Sequence, residues 1–247
     1  MKKTLLALAA VSAITAFPAI VHAEDANPLS FNVSVTTDYR YRGISQTRLQ
    51  PALQGGADYA FPNGFYVGTW MSTIKWIKDF GGSADVEWDI YGGYKGEIQK
   101  DFTYDVGVLT YQYVNNKLNP SANTTEIYGA LTFGMFTAKY SHSVTNLFGF
   151  PDSKNSGYLD LNATIDAGSG FSVVPHVGYQ KVSGIASDFS YTDYSVTVSK
   201  DAAGFTWSGA LVGTSTKTIN GVKAYASPAN GKDLGRASLV LAVKKTF

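Results

Sequence analysis

Residues 31–42 read Phe31-Asn-Val-Ser-Val-Thr-Thr-Asp38-Tyr-Arg40-Tyr-Arg42, and largely apolar or aromatic side chains alternate there with polar or charged ones. Successive side chains of a β-strand point to opposite faces of the sheet. A strand with this sequence therefore has one apolar face and one charged face. Such strands are typical of membrane barrels that turn the apolar face to lipid and the polar face to an internal channel.

The same alternation recurs along the chain between segments rich in turn-forming residues. Asn63-Gly64, which separates two such stretches, is a strong hairpin signal. Short and long connections alternate, and bacterial membrane barrels have an even number of strands, so we predict an all-β, transmembrane antiparallel barrel of about twelve strands. The predicted strands are residues 31–42, 53–61, 65–76, 86–95, 102–113, 125–133, 136–144, 157–165, 171–182, 191–200, 205–214 and 235–247.

A phenylalanine opens each outgoing strand of this assignment. Aromatic rings are favoured at membrane–water interfaces, so the pattern predicts an aromatic ring at the inner interface. The alternative is that Phe simply follows turns, as it does in other β proteins. The residues are Phe31, Phe65, Phe102, Phe136, Phe171 and Phe205.

The first residues have the features of an export signal. Lys2 and Lys3 precede an apolar run, and Val21-His-Ala23 offers small residues for cleavage. We predict a cleaved signal peptide over residues 1–23 and one barrel domain over residues 24–247. No later segment approaches the ~18 consecutive apolar residues of a membrane helix.

The composition excludes several classes of protein. The chain has 20 Lys and Arg against 19 Asp and Glu, a net charge of +1, which argues against a polybasic nucleic-acid binder. It has no cysteine, so disulfides, thiol catalysis and cysteine metal sites are absent. We predict no cofactor and no metal site.

The side-chain parity of the predicted strands provides a test of the membrane hypothesis, because a charge facing lipid is costly. By the alternation of side chains between the two faces, every strand carboxylate falls on the inward face. The lysines that fall on the outward face lie near strand ends, where they can reach lipid headgroups. The parity of the third strand stays open, since Val67 and Met71 on one face and Trp70 on the other are all apolar. The inward carboxylates are Asp38, Asp58, Glu87, Asp89, Asp105, Glu126, Asp160 and Asp193, and the outward lysines are Lys75, Lys181, Lys200 and Lys245.

The candidate functional site is the charged inward face of the first strand, with Asp38, Arg40 and Arg42. A charged lumen biases which solutes enter. Asp58, Glu87 and Asp89 on neighbouring strands are placed to pair with these arginines. Two interpretations remain open: a selectivity filter, or ion pairs that fill and brace a narrow barrel.

The histidines of the sequence bear on two other functions, and one proline bears on the regularity of a strand. An outer-membrane enzyme acting on lipid would need a base such as His142, but Ser141 and Ser143 have the opposite parity, so we predict no enzyme. His176 lies on a different strand and does not suggest a two-histidine metal site. A structural or adhesive barrel with a closed lumen is a further alternative. Pro175 removes a ladder hydrogen bond and predicts a local bulge.

Two N-terminal blocks resemble a known family. Asn32-Val-Ser-Val-Thr-Thr-Asp-Tyr-Arg-Tyr-Arg-Gly-Ile-Ser-Gln-Thr47 and Pro51-Ala-Leu-Gln-Gly-Gly-Ala-Asp-Tyr59 resemble the TorF-type porins of proteobacteria, long described as conserved hypothetical outer-membrane proteins, and Gly64–Trp70 and Glu87–Tyr94 are similar to its next blocks. The resemblance implies an outer-membrane channel and provides no catalytic or ligand residues.

The terminal strand and the overall pattern lead to expectations about location and partners. Alternating apolar residues end at Phe247, which resembles the terminal signal recognised by the barrel assembly machinery, although Lys245 breaks the pattern. We expect both termini in the periplasm, contacts with outer-membrane lipid and lipopolysaccharide, and no nucleic-acid partner. The expected function is passive diffusion of ions or small polar solutes.

Overall fold

The alternating stretches of the sequence form the wall of a closed antiparallel barrel in the computed structural model, which describes residues 27–247. The predicted signal peptide, residues 1–23, lies outside the described residues. Each wall strand pairs with its neighbours in the chain, and the last strand pairs with the first, so that every strand has a partner on both sides. The all-β prediction of about twelve strands is confirmed.

We number the twelve wall strands in chain order. They are β1 Leu29–Thr36, β2 Ala52–Ala60, β3 Phe65–Thr73, β4 Val86–Gln99, β5 Phe102–Gln112, β6 Thr124–Phe133, β7 Phe136–Ser143, β8 Gly157–Ala163 with its continuation Ile165–Gly168, β9 Phe171–Lys181, β10 Tyr191–Ala202, β11 Phe205–Thr214 and β12 Ser238–Thr246. One α-helical turn, Trp76–Asp79, and one 3₁₀ segment, Gly184–Phe189, lie in connections. Among residues 27–247, no helix is long and apolar enough to cross a membrane.

The connections alternate between the two ends of the barrel, as predicted. Tight turns connect successive strands at one end of the barrel, which we call the turn end. Gly134-Met135, between β6 and β7, is an example. Longer connections lie at the opposite end, the loop end, and one of them forms a small hairpin of Thr218–Ile219 with Val222–Lys223. The barrel is therefore simple at the turn end and elaborate at the loop end.

The outward face of the wall is apolar. Val106 and Val108 in the middle of β5 are 49% and 46% exposed, respectively. Asp105, whose side chain points to the opposite face of the same strand, is buried. The structure also resolves the parity of β3, because Val67 and Met71 are exposed and Trp70 faces the interior. An apolar outer surface of this extent matches the lipid-facing band of a membrane barrel.

The first strand differs from its prediction. β1 ends at Thr36, although the alternating pattern continues to Arg42. Residues 37–50 leave the regular ladder, and residues 38–47 among them fold into the barrel, where Arg40–Tyr41 and Ile44–Ser45 form a two-residue hairpin. Residues 38–42, predicted as part of the first wall strand, therefore lie inside the barrel, and so does the first part of the connection to the second strand. Alternation alone cannot separate a wall strand from an extended segment that is buried on both sides.

The bulge predicted at Pro175 is also wrong. Pairing of β9 with β10 runs unbroken through Val174, Pro175 and Val177. On the other side of β9, the ladder with β8 is interrupted between Asn162 and Ile165 but resumes in the same register. The proline therefore costs ladder pairing toward one neighbour only, and no extra residue is needed to accommodate it.

The phenylalanines that were predicted to form a ring lie at the starts of their strands, at the turn end. Most of them are exposed, with Phe136 at 61% and Phe65 at 54%, and Phe205 contacts the ring of Trp207. Lys200 and Lys245 extend over Phe171 and Phe205, which places their ammonium groups beside the aromatic ring. These contacts fit the predicted interfacial girdle.

Candidate functional site

The interior of the barrel contains a cavity of about 220 Å³. All twelve strands contribute side chains to its lining, so the cavity is the lumen itself and not a pocket in the wall. Its lining extends from residues near the turn end, such as Asn32 and Lys244, to the tip of the infolded residues 37–50, which we call the inward segment. The open space therefore lies on the turn-end side of the inward segment.

The inward segment fills the lumen toward the loop end. Residues 38–47 are buried except for the half-buried Tyr41. The hairpin turns at Gly43, whose φ of +78° lies in the left-handed region. A Cβ placed on Gly43 would lie 2.6 Å from Thr214 Cγ2 and 2.8 Å from Asp193 Cβ. Only glycine fits here, because the hairpin tip touches the wall at β10 and β11.

Arg42 ties the tip of the hairpin to the far wall. Its Nη2 donates to Glu126 Oε2 at 2.7 Å on β6, and its Nη1 donates to Gln180 Oε1 at 2.6 Å on β9. The guanidinium lies 4.3 Å from the ring centroid of Tyr158 and 4.7 Å from that of Tyr41. Arginine suits this position because its planar fork donates in two directions and stacks on aromatic faces.

Arg40 and Asp38 brace the inward segment internally. Arg40 Nε donates to Asp38 Oδ2 at 2.5 Å, and Arg40 Nη1 donates to the carbonyl oxygens of Gly43 and Leu234 at 2.8 and 2.9 Å. Asp38 Oδ1 also accepts from the hydroxyl of Ser45. Asp38, Arg40 and Arg42 thus lie close together in the lumen, but on an infolded segment and not on the face of a wall strand.

The three carboxylates predicted to pair with the arginines have other environments. Glu87 accepts from the hydroxyls of Tyr39 and Tyr113, and Asp58 accepts from Tyr91. Asp89 is fully buried, and neither carboxylate oxygen has a hydrogen-bond partner. Predicted pairing of Asp58, Glu87 and Asp89 with Arg40 or Arg42 is therefore wrong, because the infolded hairpin carries the arginines to β6 and β9.

A second charged cluster lines the cavity on β8, β9 and β10, and its pairings were not predicted from the sequence. His176 Nε2 lies 2.9 Å from Asp193 Oδ2, and its Nδ1 lies 3.5 Å from Asp160 Oδ1. The hydroxyl of Tyr158 donates to Asp193 at 3.0 Å. Inward parity placed these residues correctly, but parity gives no information on which strands bring their side chains together.

The residues considered for enzymatic chemistry are separated. His142 lies on the outer face, where its Nε2 is 3.2 Å from Asn155 Oδ1, while Ser141 and Ser143 are buried on the inward face. No cluster of three or more His, Asp or Glu side chains placed to hold a metal ion exists within residues 27–247.

Loops at the loop end pack over the inward segment. Phe148 stacks edge-on against Tyr41, with ring centroids 5.4 Å apart. Arg48 forms an ion pair with Asp79, which also accepts from the hydroxyl of Ser227 at 3.1 Å, so that three connections meet at one carboxylate. Tyr225 donates to the carbonyl of Phe189, and burial raises the pKa of its hydroxyl. These contacts hold the loops against the inward segment and against one another at this end.

Comparison with protein families places the whole described barrel in one group. Residues 22–247 match a family described as bacterial protein of unknown function (Gcw_chp). The chain belongs to the Gcw_chp family. No curated protein matches this Gcw_chp chain.

Solved structures with the same fold are outer-membrane porins. The KdgM porin is 9% identical to this Gcw_chp chain with a TM-score of 0.56, and the match covers 88% of this chain and 99% of that one. A KdgM porin in complex with disordered oligogalacturonate gives 8% identity and a TM-score of 0.54, covering 89% and 98% of the two chains. The NanC porin is 11% identical with a TM-score of 0.52, and the match covers 88% of this chain and 98% of that one. At these identities the likeness establishes the fold alone.

Proposed function

We propose that this protein is an outer-membrane channel through which ions and small polar solutes diffuse, and that its inward segment narrows the route. The observation that carries the proposal is the cavity lined by all twelve strands, which ends at the infolded hairpin of residues 40–45. The interior of a barrel widens with the number of strands, so in a twelve-strand wall the inward side chains determine what passes. The sequence resemblance to TorF-type porins adds support.

The charges of the lumen favour cations and neutral solutes over polyanions. Among inward-facing residues of the described chain, carboxylates outnumber lysines and arginines, and a lumen with this excess repels negative charge. The oligogalacturonate bound to the KdgM porin is a polyanion, and we propose that this protein rejects such solutes. The carboxylates are Asp38, Asp58, Glu87, Asp89, Asp105, Glu126, Asp160 and Asp193, and the bases are Arg40, Arg42, Lys95, Lys139, Lys244 and His176.

The apolar outer face supports an outer-membrane location in contact with lipid and lipopolysaccharide. We propose that the turn end, with both termini, faces the periplasm, because short turns lie there in bacterial barrels. Phe247 exchanges two backbone hydrogen bonds with Phe31, at 2.9 and 3.2 Å, beside the aromatic girdle. This position suits the proposed recognition of the last strand by the barrel assembly machinery.

Conductance in planar lipid bilayers tests the channel proposal. We expect discrete conductance steps with cations more permeant than anions. Because the chain has no cysteine, the double variant Ile44→Cys with Leu234→Cys gives a clean lock, since these two side chains pack in one cluster. A disulfide between these cysteines would fix the inward segment, so the oxidised double variant should conduct less than its reduced form. Each single cysteine variant serves as a control.

The alternative is a sealed structural barrel, favoured by the burial of residues 38–47. Protein that inserts into the bilayer and stays silent at all voltages would support the sealed barrel and contradict the channel. A preference for anions would leave the channel but contradict the proposed charge selectivity.

A further inference from the structure

A row of polar side chains crosses β7, β8 and β9 on the outer face, at the loop end of the barrel. Gly157 at the start of β8 pairs with His142 on β7 and with Lys181 on β9, so the three residues lie at one height. Neighbouring strands are about 4.8 Å apart, so the backbones at His142 and Lys181 lie roughly 10 Å apart across the glycine. We call these three residues the polar row.

Gly157 allows a fourth polar group to enter the polar row. A Cβ placed on Gly157 would collide with Tyr140 Oη, so the phenol of Tyr140 lies over the glycine and its hydroxyl lies between the two polar neighbours. The same hydroxyl is 3.5 Å from His142 Nδ1, and His142 Nε2 is 3.2 Å from Asn155 Oδ1. A hydroxyl, an imidazole and an ammonium group therefore come together over one backbone position.

The polar row has a positive charge that the described chain does not neutralise. Lys181 is exposed, and no carboxylate among residues 27–247 forms an ion pair with it. The exposed Lys217 of another connection, by contrast, pairs with Asp188 at 2.9 Å. Phosphate oxygens accept strong hydrogen bonds from ammonium and hydroxyl groups. The polar row thus has the chemistry of a site for a phosphate group.

The rows below the polar row become aromatic and then aliphatic toward the middle of the wall. Leu159 pairs with Tyr140 and Tyr179, and the next outward residue of β8, Leu161, pairs with Val177. All five of these side chains are exposed on the outer face. The same order of chemistry runs through a membrane lipid, from a charged headgroup through the interface to the acyl chains.

We propose that the polar row binds a phosphate group of an outer-leaflet glycolipid, the lipid A part of lipopolysaccharide, with the Lys181 ammonium and the Tyr140 hydroxyl as donors. The acyl chains would then lie along Leu159, Leu161 and Val177. This inference rests on the proposed outer-membrane location, with the loop end in the outer leaflet. It goes beyond solute passage, because these side chains point away from the lumen.

Binding of lipid A to the purified protein in detergent tests the inference. The phosphorylated form should bind about tenfold more tightly than lipid A dephosphorylated with a phosphatase, because charge-assisted hydrogen bonds to phosphate are lost. Lys181→Gln should remove most of this preference. Lys200→Gln is the matched control and should retain it, because Lys200 also lies on the outer face but at the turn end, over the ring of Phe171.

Further measurements separate the polar row from other sources of binding. Tyr140→Phe, which removes only the hydroxyl, should weaken binding of phosphorylated lipid A and leave the dephosphorylated form unaffected. Phosphatidylglycerol and inorganic phosphate should both bind more weakly than lipid A.

Four results would each overturn the inference: equal Kd values for the two forms of lipid A, a preference retained by Lys181→Gln, unchanged binding in Tyr140→Phe, or phosphatidylglycerol or inorganic phosphate bound as tightly as lipid A. Binding is measured in detergent and without conduction. A protein that binds lipid A but never conducts would therefore contradict the channel and leave this site standing.

Discussion

Arg42 in the inward segment and Glu126 on β6 form a buried ion pair across the lumen, with Nη2 2.7 Å from Oε2 and side chains 6% and 2% exposed. The pair joins a residue that follows β1 to a strand near the opposite wall. It holds the hairpin in place and narrows the lumen with one contact.

Arg42→Gln should destabilise the protein and widen the lumen. Loss of the guanidinium leaves Glu126 buried without its charge partner, at a cost of about 3–5 kcal/mol. Denaturant unfolding in detergent should show this loss, and single-channel conductance should increase. The double variant with Glu126→Gln should be more stable than Arg42→Gln alone, since no unpaired charge remains. Unchanged stability and conductance in the single variant would show that the Arg42–Glu126 pair does not hold the hairpin in the lumen.

Arg48→Ala should change both gating and stability. The Arg48 side chain is 30% exposed but that of Asp79 is 2% exposed, so loss of the arginine leaves a buried carboxylate without its cation and destabilises the fold. The pair also joins the inward segment to two loops through Asp79, so its loss should increase the frequency of open events in bilayer recordings. Lys78→Ala is the matched control, because Lys78 pairs with Asp85 at the surface, with 51% and 63% of the side chains exposed. Equal recordings for both variants would contradict the proposed loop contact.

Charge changes in the cavity lining should shift ion preference in opposite directions. Asp160→Asn removes a lining carboxylate and should shift the permeability ratio toward anions by roughly a factor of two or more. Lys139→Gln removes a lining cation and should shift the ratio toward cations. Reversal potentials in asymmetric salt measure both. Identical ratios in the two variants would mean that ions do not pass through this cavity.

Val106→Arg tests the lipid-facing assignment of the outer surface. Val106 lies in the middle of β5 and is 49% exposed, and an arginine at mid-membrane costs about 2–4 kcal/mol. Ile98→Arg is the control near the turn end, where the cost is about 0–1 kcal/mol. Unfolding titrations in lipid vesicles should reproduce this order. Equal costs at the two positions would argue that the surface does not span a bilayer.

The wall of the barrel could be predicted from the sequence because two independent regularities agree. Alternation sets which side chains face lipid, and turn signals such as Asn63-Gly64 set where each hairpin reverses. Inward carboxylates, including Asp105 and Asp160, follow directly from that parity. Alternation and turn signals are local properties of the sequence, so they can be recognised without knowledge of the tertiary structure.

The pairings inside the lumen could not be predicted in the same way. Arg42 continues the alternation of β1, yet its contacts are on β6 and β9 because the chain leaves the wall after Thr36. Which carboxylate meets which base depends on the register of strands distant in sequence and on the path of an infolded loop. The cluster at His176 was missed for the same reason, since its partners come from β8 and β10.

The backbone contacts between Phe31 and Phe247 also constrain how the chain can mature. The ladder that joins β1 to β12 links Asn32 to Thr246, so closure requires the two extremes of the described chain to be present together. Until then, both outermost strands have unpaired amide and carbonyl groups, which are templates for aggregation. A barrel that lacks either of these strands would therefore have two unpaired, aggregation-prone strand edges. Pairing of β1 with β12 removes both edges at once.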